Sequence, residues 1–359
     1  MIPATFLSEL VALLKSFIEM PSFSGEEDQT ALLIEQFLQK HGANTHRLGN
    51  NIWCVCSHFD EKKPTLLLNS HHDTVKPNGA YTKNPFQAEI ADGKLYGLGS
   101  NDAGGALVSL IGTFLLLNDR LDLNYNLVLA TTAEEEISGK NGIEALLPVL
   151  PKIDVALVGE PTFMQLAVAE KGLLVIDGYA SGKTGHAAHE NTLSAIYMAA
   201  KDIQNIQQFE FTRISETLGK VKATVTQIEA GKQHNVVPDS CHFVIDVRVT
   251  DAYSNQEAFE LLDSMTESKL EARSFRLNPS SIGLDHPLVT AGKKLGLKVY
   301  GSPTISDQAL LPFPSVKIGP GDSLRSHMED EFIFLHEIEN GLEIYLQLIT
   351  ILENYETLG

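Results

Sequence analysis

The sequence predicts an α/β fold with a mixed central sheet flanked by helices, into which a smaller α+β, ferredoxin-like domain is inserted. Two observations support this prediction. Continuously apolar runs, typical of strands buried on both faces, alternate with amphipathic stretches in residues 1–169 and again in 280–359. Between them, residues 170–279 contain strands whose apolar residues alternate. The length of 359 residues suits about two domains.

Two amphipathic helices are predicted at the start of the chain, over residues 6–18 and 28–41. The first stretch resembles the apolar core of an export signal, but no basic residue precedes it and Glu9 interrupts it. No apolar run approaches the ~18 residues of a membrane span. Three cysteines are too few for a disulfide framework. We therefore expect a cytoplasmic protein without an export signal.

The remaining elements of the larger domain are strands and apolar helices. Strands are predicted at Asn51–Cys56, Thr65–Asn69, Asn126–Thr131, Val155–Gly159 and Ser315–Ile318, with helices at Gly104–Leu117 and Phe334–Tyr355. The runs 65–69 and 127–130 are apolar throughout, which favours strands of a parallel or mixed sheet. Residues 1–169 and 280–359 are thus expected to form one discontinuous domain.

The inserted segment has the element order of a split sandwich. Strands are predicted at Leu173–Tyr179, Lys222–Glu229 and Cys241–Thr250, and helices at Ala187–Gln207 and Asn255–Leu270. The order strand-helix-strand-strand-helix-strand is that of a ferredoxin-like fold.

The charge balance restricts the possible partners. Lys and Arg number 27 against 46 Asp and Glu, which gives a net charge of −19. An excess of this size repels the phosphates of nucleic acid and the surface of anionic membranes, so neither is expected as a partner. It is compatible with the binding of cations.

Histidines and carboxylates recur just beyond predicted strands, where sites form in α/β sheets. They are His71 and Asp73, Asp102, the run Glu134-Glu135-Glu136, Glu160, and His327. Each has a plain alternative: a solvated loop for His71, a helix N-cap for Asp102, a surface run for the glutamates. Taken together, they form an oxygen and imidazole set that suits zinc, cobalt or manganese. Two histidines and three carboxylates exceed one tetrahedral zinc but suit a metal pair with a bridging carboxylate.

Other signatures are incomplete. The chain contains neither H-E-x-x-H nor G-x-S-x-G, which disfavours the corresponding zinc protease and serine hydrolase classes. Asp102 occupies the place of the third glycine of a dinucleotide loop, where a carboxylate would repel the pyrophosphate. The segment 178–184 has one residue too few for a phosphate loop.

In their order along the chain, these segments resemble the aminoacylase / acetylornithine deacetylase / succinyl-diaminopimelate desuccinylase family of di-zinc hydrolases, with the acetylornithine deacetylase branch nearest. The matching segments are Ser70-His71-His72-Asp73, Gly99-Ser100-Asn101-Asp102-Ala103-Gly104-Gly105, Glu134-Glu135-Glu136, Gly159-Glu160-Pro161-Thr162, Gly185-His186-Ala187-Ala188, Asn235-Val236-Val237-Pro238-Asp239, Asp246-Val247-Arg248 and His327-Met328-Glu329-Asp330-Glu331. The family usually has Asp-Glu-Glu at the central acids. Here Glu134 stands first, so we align Glu135 with the base and Glu136 with a ligand.

The resemblance implies a role for each residue of the larger domain's set. The ligands of two zinc ions would be His71, Asp102, Glu136, Glu160 and His327. Asp102 would bridge the two ions, and Asp73 would orient His71. Glu135 would take a proton from the attacking water and deliver it to the leaving amine.

The resemblance also implies that the inserted domain is a lid through which two copies dimerise. His186 would stabilise the oxyanion across that dimer interface. Arg248 and Asn235 would grip the substrate carboxylate, for which a guanidinium fork is well shaped. From the residues alone, His186 is a solvated loop residue, and a half-exposed surface charge fits Arg248 equally well.

The expected activity is hydrolysis of the amide of an N-acyl-L-amino acid. N-acetylornithine is the leading substrate, and N-succinylornithine and N-acetylcitrulline are alternatives. The reaction would belong to arginine biosynthesis. Lys171 and Arg325 would favour a longer acidic acyl group. Alternatives on the same site are a di- or tripeptidase and a succinyl-diaminopimelate desuccinylase. A different class of function is a non-catalytic metal-binding dimerisation module.

Overall fold

The computed structural model describes residues 2–353 and divides the chain into two compact units. Unit 1 comprises Met1–Val168, Ser281–Tyr300 and Ser306–Gly359, and unit 2 comprises Ala169–Ser280 and Gly301–Ile305. The domain boundaries predicted from the sequence are at 169/170 and 279/280. The predicted end of the last helix, Tyr355, lies outside the described residues.

The helices are α1 (Ala4–Ile18), α2 (Asp28–Lys40), α3 (Gly105–Leu117), α4 (Ile143–Leu146), α5 (Ala195–Gln208), α6 (Asn255–Asp263), α7 (Pro287–Lys294) and α8 (Leu335–Leu352). The strands are β1 (Thr45–Leu48), β2 (Asn51–Val55), β3 (Thr65–His71), β4 (Glu89–Ala91), β5 (Lys94–Tyr96), β6 (Asn126–Thr132), β7 (Val155–Val158), β8 (Leu166–Glu170), β9 (Gly172–Ser181), β10 (Gly185–His186), β11 (Lys222–Ala230), β12 (Val236–Val237), β13 (Ser240–Val249), β14 (Lys269–Ala272), β15 (Ser280–Ser281), β16 (Val299–Ser302), β17 (Ser315–Lys317) and β18 (Phe332–Phe334). Short helical turns cover Ser100–Gly104, Glu135–Ile137, Asp307–Leu310 and Ser323–Arg325.

The central sheet of unit 1 is mixed, as the sequence predicts. Its strand order is β1-β2-β6-β3-β7-β17-β8-β15, with β16 beside β8. The strands β6, β3, β7 and β17 are parallel neighbours, whereas β1, β2 and β8 pair antiparallel. The carboxyl ends of four adjacent strands therefore meet at one edge.

The apolar runs of the central strands are buried on both faces, which confirms the reasoning from sequence. On β3, Leu66 and Leu68 belong to the large core that includes residues of α1, α3 and α8. The intervening Leu67 belongs to a separate core that includes α4 residues. The strand therefore has no polar face, because water reaches neither side of the sheet there.

The helix α3 is more apolar than the sequence analysis allowed. Residues Ser100–Leu117 form a stretch long and apolar enough to cross a membrane by length and composition, contrary to the expectation that no run approached that size. However, 83% of this stretch is buried inside the fold. A Cβ on Gly112 would lie 2.6 Å from a Leu10 methyl carbon, so the glycine permits α1 to pack closely against α3. We interpret the stretch as a core helix.

The edge formed by the parallel strands carries most of the predicted site. His71 ends β3, the glutamate run follows β6, and Glu160 follows β7. His327 comes from the segment after β17. Asp102 differs, because the strand before it is β5 of a separate three-stranded sheet with the order β18-β5-β4. The plain alternative for Asp102, the N-cap of α3, is wrong, because Gly104 occupies that position.

Unit 2 has the ferredoxin-like topology that the sequence predicts. Its antiparallel sheet has the order β11-β13-β9-β14, and residues of α5 and α6 share one core with it. The first helix begins at Ala195 rather than Ala187, because residues 187–194 form turns around a Lys183–Leu193 bridge. The second ends at Asp263, since residues 269–272 belong to β14.

Candidate metal centre

His71 is buried, with 1% of its surface exposed, and its orientation is fixed. Its Nδ1 lies 3.0 Å from the backbone carbonyl oxygen of Asp73, which can only accept, so Nδ1 donates. Nε2 is thereby directed at carboxylate oxygens of Asp102 at 3.4 Å and Glu160 at 3.7 Å. A ring held through one nitrogen with the other among anionic oxygens is typical of a metal ligand.

Asp102 lies between the two histidines. Its Oδ1 faces Nε2 of His71 at 3.4 Å, and its Oδ2 faces Nε2 of His327 at 3.6 Å. The same nitrogen of His327 lies 3.0 Å from Oε2 of Glu136. One carboxylate thus offers one oxygen to each of two donor groups, which is the arrangement of a bridging ligand.

The donor atoms form two groups that could each hold a metal ion. In one group His71 joins Asp102 and Glu136, and in the other it joins Glu135 and Glu160; within each group the donor atoms lie within 4.8 Å of one another. By distance, Glu135 qualifies as a ligand as well as a base. The assignment of Glu135 as the base and Glu136 as a metal ligand stays a prediction.

Burial and mutual repulsion perturb these acids. Burial, reinforced by the charge of Asp102, raises the pKa of Glu160 to about 8. Burial likewise raises the pKa of Glu135 well above its usual range. The hydrogen bond to Glu136 raises the pKa of His327 to about 9. A divalent cation among these groups would lower their pKa values, because it offsets both the burial and the mutual repulsion of the carboxylates.

Asp73 contacts the turn that carries Glu135 and Glu136, in addition to the predicted contact with His71. Besides lying beside His71, its fully buried carboxylate accepts hydrogen bonds from the backbone N–H groups of Glu135 at 3.0 Å and Glu136 at 3.2 Å. Ser24 Oγ donates to the same carboxylate at 2.6 Å. Asp73 therefore fixes the turn that carries both glutamates as well as the imidazole.

The remaining predicted residues lie in unit 2. His186 is exposed on β10, where its Nδ1 accepts from the N–H of Ala188 at 3.1 Å. Asn235, also exposed, accepts the N–H of Ala187 at its backbone oxygen at 3.0 Å. Arg248 lies near the end of β13 and pairs with Asp246 through Nε at 2.8 Å. Their roles toward substrate stay predictions.

Sequence reasoning missed two buried carboxylates beside the donor set. Asp307, 4% exposed, accepts a hydrogen bond from Thr132 Oγ1 at 2.7 Å, and its charge adds to the raised pKa of Glu135. Glu331, 1% exposed, accepts from the N–H of Asp102 at 2.9 Å. The sequence analysis predicts no strand before Asp307, so the signal used for the others was missing, although the structure places β16 there. Glu331 stood in a quoted motif and was assigned no role.

The donor set fits a pair of divalent ions. Two imidazoles and four carboxylates converge without a thiolate, and Asp102 presents one oxygen to each histidine. Hard or borderline ions such as zinc, manganese or cobalt suit such ligands. Without cations, four carboxylates gathered in a buried space would repel one another.

A known protein family matches most of the chain, and two individual proteins match it over most of their length. The profile of peptidase family M20/M25/M40 matches residues 67–351. The chain is 29% identical over 310 residues to the acetylornithine deacetylase of Proteus mirabilis (strain HI4320), covering 79% of this chain and 78% of that protein. It is 25% identical over 339 residues to a succinyl-diaminopimelate desuccinylase of Cereibacter sphaeroides (strain ATCC 17025 / ATH 2.4.3), covering 88% of each.

Solved structures share the fold. The M20 family metallo-carboxypeptidase Sso-CP2 of Sulfolobus solfataricus superposes with a TM-score of 0.77 at 18% identity, covering 97% of this chain and all of that one, 100%. The YXEP protein of Bacillus subtilis, described as a dinuclear metal-binding peptidase, gives 0.75 at 18% identity, covering 98% of this chain and 100% of that one.

Proposed function

The chain belongs to peptidase family M20/M25/M40, and from that premise we propose that it is a metal-dependent amidohydrolase of N-acyl-L-amino acids. N-acetylornithine is the leading substrate, with N-succinylornithine and N-acetylcitrulline beside it. The single observation that carries the proposal is the placement of Asp102, with one oxygen toward His71 and the other toward His327. The acetylornithine deacetylase of Proteus mirabilis, 29% identical, supports the choice of substrate.

The proposed metal centre would hold two divalent ions, with zinc first among the candidates. His71, Asp102 and Glu160 would hold one ion, and Asp102 would share the other with Glu136 and His327. Ions of this kind supply Lewis acidity, which polarises a carbonyl and lowers the pKa of water.

Glu135 is the proposed base of the reaction. Its side chain is 12% exposed and lies 3.9 Å from Nε2 of His71, beside the donor set. Burial, the largest cause, raises its pKa and so its tendency to hold a proton. It would take a proton from the attacking water and pass it to the leaving amine, which departs as a free amino acid. His186, Arg248 and Asn235 would supply oxyanion stabilisation and substrate grip.

A second candidate, a succinyl-diaminopimelate desuccinylase, is favoured by a group of cations in unit 2. Lys222 and Arg248 are direct cross-strand partners on β11 and β13. Lys171 precedes β9, and burial together with the charges of Lys222 and Arg248 lowers its pKa. Such a group suits a substrate with an additional carboxylate.

Arg325 does not belong to that group, contrary to the sequence interpretation. Its side chain is 9% exposed, and its guanidinium forms a bidentate pair with Glu337, at 2.6 Å and 2.9 Å. Arg248 makes a similar bidentate pair with Asp246, at 2.8 Å and 3.1 Å, but its side chain is 37% exposed. Arg248 would exchange Asp246 for a substrate carboxylate, whereas the buried pair with Glu337 leaves Arg325 no open face for an acidic acyl group.

The deciding experiment is a substrate panel with metal control. The chain, treated with chelator and reloaded with zinc, cobalt or manganese, is assayed for amine release from N-acetylornithine, N-acetylcitrulline, N-succinylornithine, N-succinyl-diaminopimelate, a dipeptide and a tripeptide. We expect turnover only in reloaded protein and highest with N-acetylornithine. Activity that survives complete metal removal would overturn the proposal. Tight metal binding without hydrolysis of any panel member would favour the non-catalytic module.

The cellular context and assembly are also proposals. An acetylornithine-type activity would serve arginine biosynthesis in the cytoplasm, and the chain would form a homodimer through unit 2. The oligomeric state is tested by light scattering of the wild-type chain across concentrations, where a constant monomer mass would contradict the dimer.

A further inference from the structure

Glu331 collects three backbone N–H groups of the loop that presents Asp102. Its Oε2 accepts from Gly99 at 3.1 Å, and its Oε1 accepts from Asn101 at 2.8 Å and from Asp102 at 2.9 Å. The residue is 1% exposed. Hydrogen bonds to a carboxylate shielded from water are among the stronger ones in proteins. This loop is thus held by one side chain from a distant part of the sequence.

The same short segment carries His327, four residues earlier. The side chain of His327 is 53% exposed, so side-chain burial contributes little to its placement. Its backbone is anchored by Asn78, whose Nδ2 donates to the His327 carbonyl oxygen at 3.3 Å. Three residues later, the side chain of Asp330 accepts from the N–H groups of Thr82 at 2.9 Å and Lys83 at 2.8 Å. Segment 327–331 therefore contacts the rest of unit 1 on two sides.

We infer that Glu331 is a positioning residue for the metal pair, which sets the distance between Asp102 and His327 before any ion binds. The inference rests on the proposed metal centre. The reason is that one segment does two things. It supplies the ligand His327 at one end, and at the other end Glu331 fixes the loop that carries Asp102. Of the three ligands Asp102, Glu136 and His327 proposed for one ion, Asp102 and His327 are then both positioned by segment 327–331.

The first test is a metal titration of Glu331→Gln. In this variant one amide oxygen replaces two carboxylate oxygens, and the amide NH₂ cannot accept the N–H of Gly99. Chelator-treated full-length chain is titrated with Co²⁺ by calorimetry and by visible absorption. We expect one Co²⁺ equivalent to weaken about 10–100-fold with an altered absorption band, the range found when partners that orient metal ligands are removed.

Glu329→Gln is the matched control. Glu329 lies in the same segment and is exposed, so its substitution removes the same charge without touching the loop. We expect it to bind both equivalents as the wild type does. Wild-type affinity and absorption in Glu331→Gln would overturn the inference. A wild-type chain that binds no Co²⁺ would overturn the proposed metal centre along with it.

A second measurement needs no variant. Hydrogen exchange at the amides of Gly99, Asn101 and Asp102 is compared between metal-free and Co²⁺-loaded wild-type chain. If Glu331 arranges the loop in advance, these amides are protected equally in both forms. Rapid exchange in the metal-free chain, followed by protection on loading, would show that the ion orders the loop and would overturn the inference.

Discussion

The glutamate run 134–136 gives the most direct test of the proposed chemistry, because three adjacent carboxylates have three different surroundings. Glu134 turns away from the donor set, where Asn141 donates to it through Nδ2 at 2.7 Å and through its backbone N–H at 3.1 Å. Glu136 lies 3.0 Å from His327. Glu135 lies beside His71 and Glu160. Each is replaced separately by glutamine.

The expected magnitudes differ by residue. Loss of a general base costs 10²–10⁴-fold in kcat, roughly 3–5 kcal/mol of transition-state stabilisation, so Glu135→Gln should lose that much while keeping both ions. Glu136→Gln removes the carboxylate partner of His327, so it should lose metal and thereby activity. Glu134→Gln exchanges one hydrogen bond of about 1 kcal/mol and should keep wild-type turnover.

The assay combines two readouts on the same samples. Amine release from N-acetylornithine gives kcat and KM, and elemental analysis after dialysis gives the bound metal per chain. Glu134→Gln serves as the internal control for substitution within this turn. Turnover of Glu135→Gln within tenfold of wild type would refute its role as base. Metal lost from Glu135→Gln but kept by Glu136→Gln would show that the two roles are reversed.

Three further predictions concern stability. Burial lowers the pKa of His72 to about 4, and its Nε2 donates to the carbonyl of Asn50, so the folded chain resists protonating it. Above pH 6.5 the ring is neutral in both the folded and the unfolded chain. Below pH 6.5 the unfolded chain binds the proton first, so stability falls by about 3 kcal/mol as the pH drops toward 4. Urea unfolding of His72→Gln should show a shallower loss over that range, and an unchanged slope would contradict this prediction. Glu337→Ala leaves Arg325 buried without its partner and should cost about 3–5 kcal/mol in urea unfolding. Glu9→Ala removes one side of an exposed pair and should cost far less; equal costs for the two variants would contradict this prediction. Zn²⁺ at about 100 times its Kd should stabilise the metal-free chain by about 2.7 kcal/mol, and an unchanged melting temperature would count against the centre.

Local patterns were enough to predict the architecture. The apolar runs of β3 and β6 indicated strands buried on both faces, and such strands pair in parallel beneath helices. Parallel neighbours end at a common edge, so the predicted convergence of His71, the glutamate run and Glu160 followed from strand position alone. In unit 2, the alternating strands and two helices indicated the ferredoxin-like order.

Local patterns failed where a side chain acts through a distant partner. For Asp102 the residues alone left a helix cap open as the plain alternative to a metal ligand; in the structure Glu331, far along the chain, accepts its backbone N–H, and the carboxylate faces both histidines. Arg325 was interpreted as a free cation, yet Glu337 satisfies it. Nothing in the neighbouring residues distinguishes a satisfied charge from a free one, because the difference lies in what the fold brings alongside.

The sequence by itself determined the types of element, their layering and the ligand chemistry available at the sheet edge, because hydrophobic period and residue type are local properties. Only the tertiary structure decided which oxygen of Asp102 faces which histidine, and which buried acids hold the loops in place. Those distances depend on loops that meet across more than two hundred residues, as Asn101 and Glu331 do. A pattern in one stretch of chain contains no information about the separation of two others.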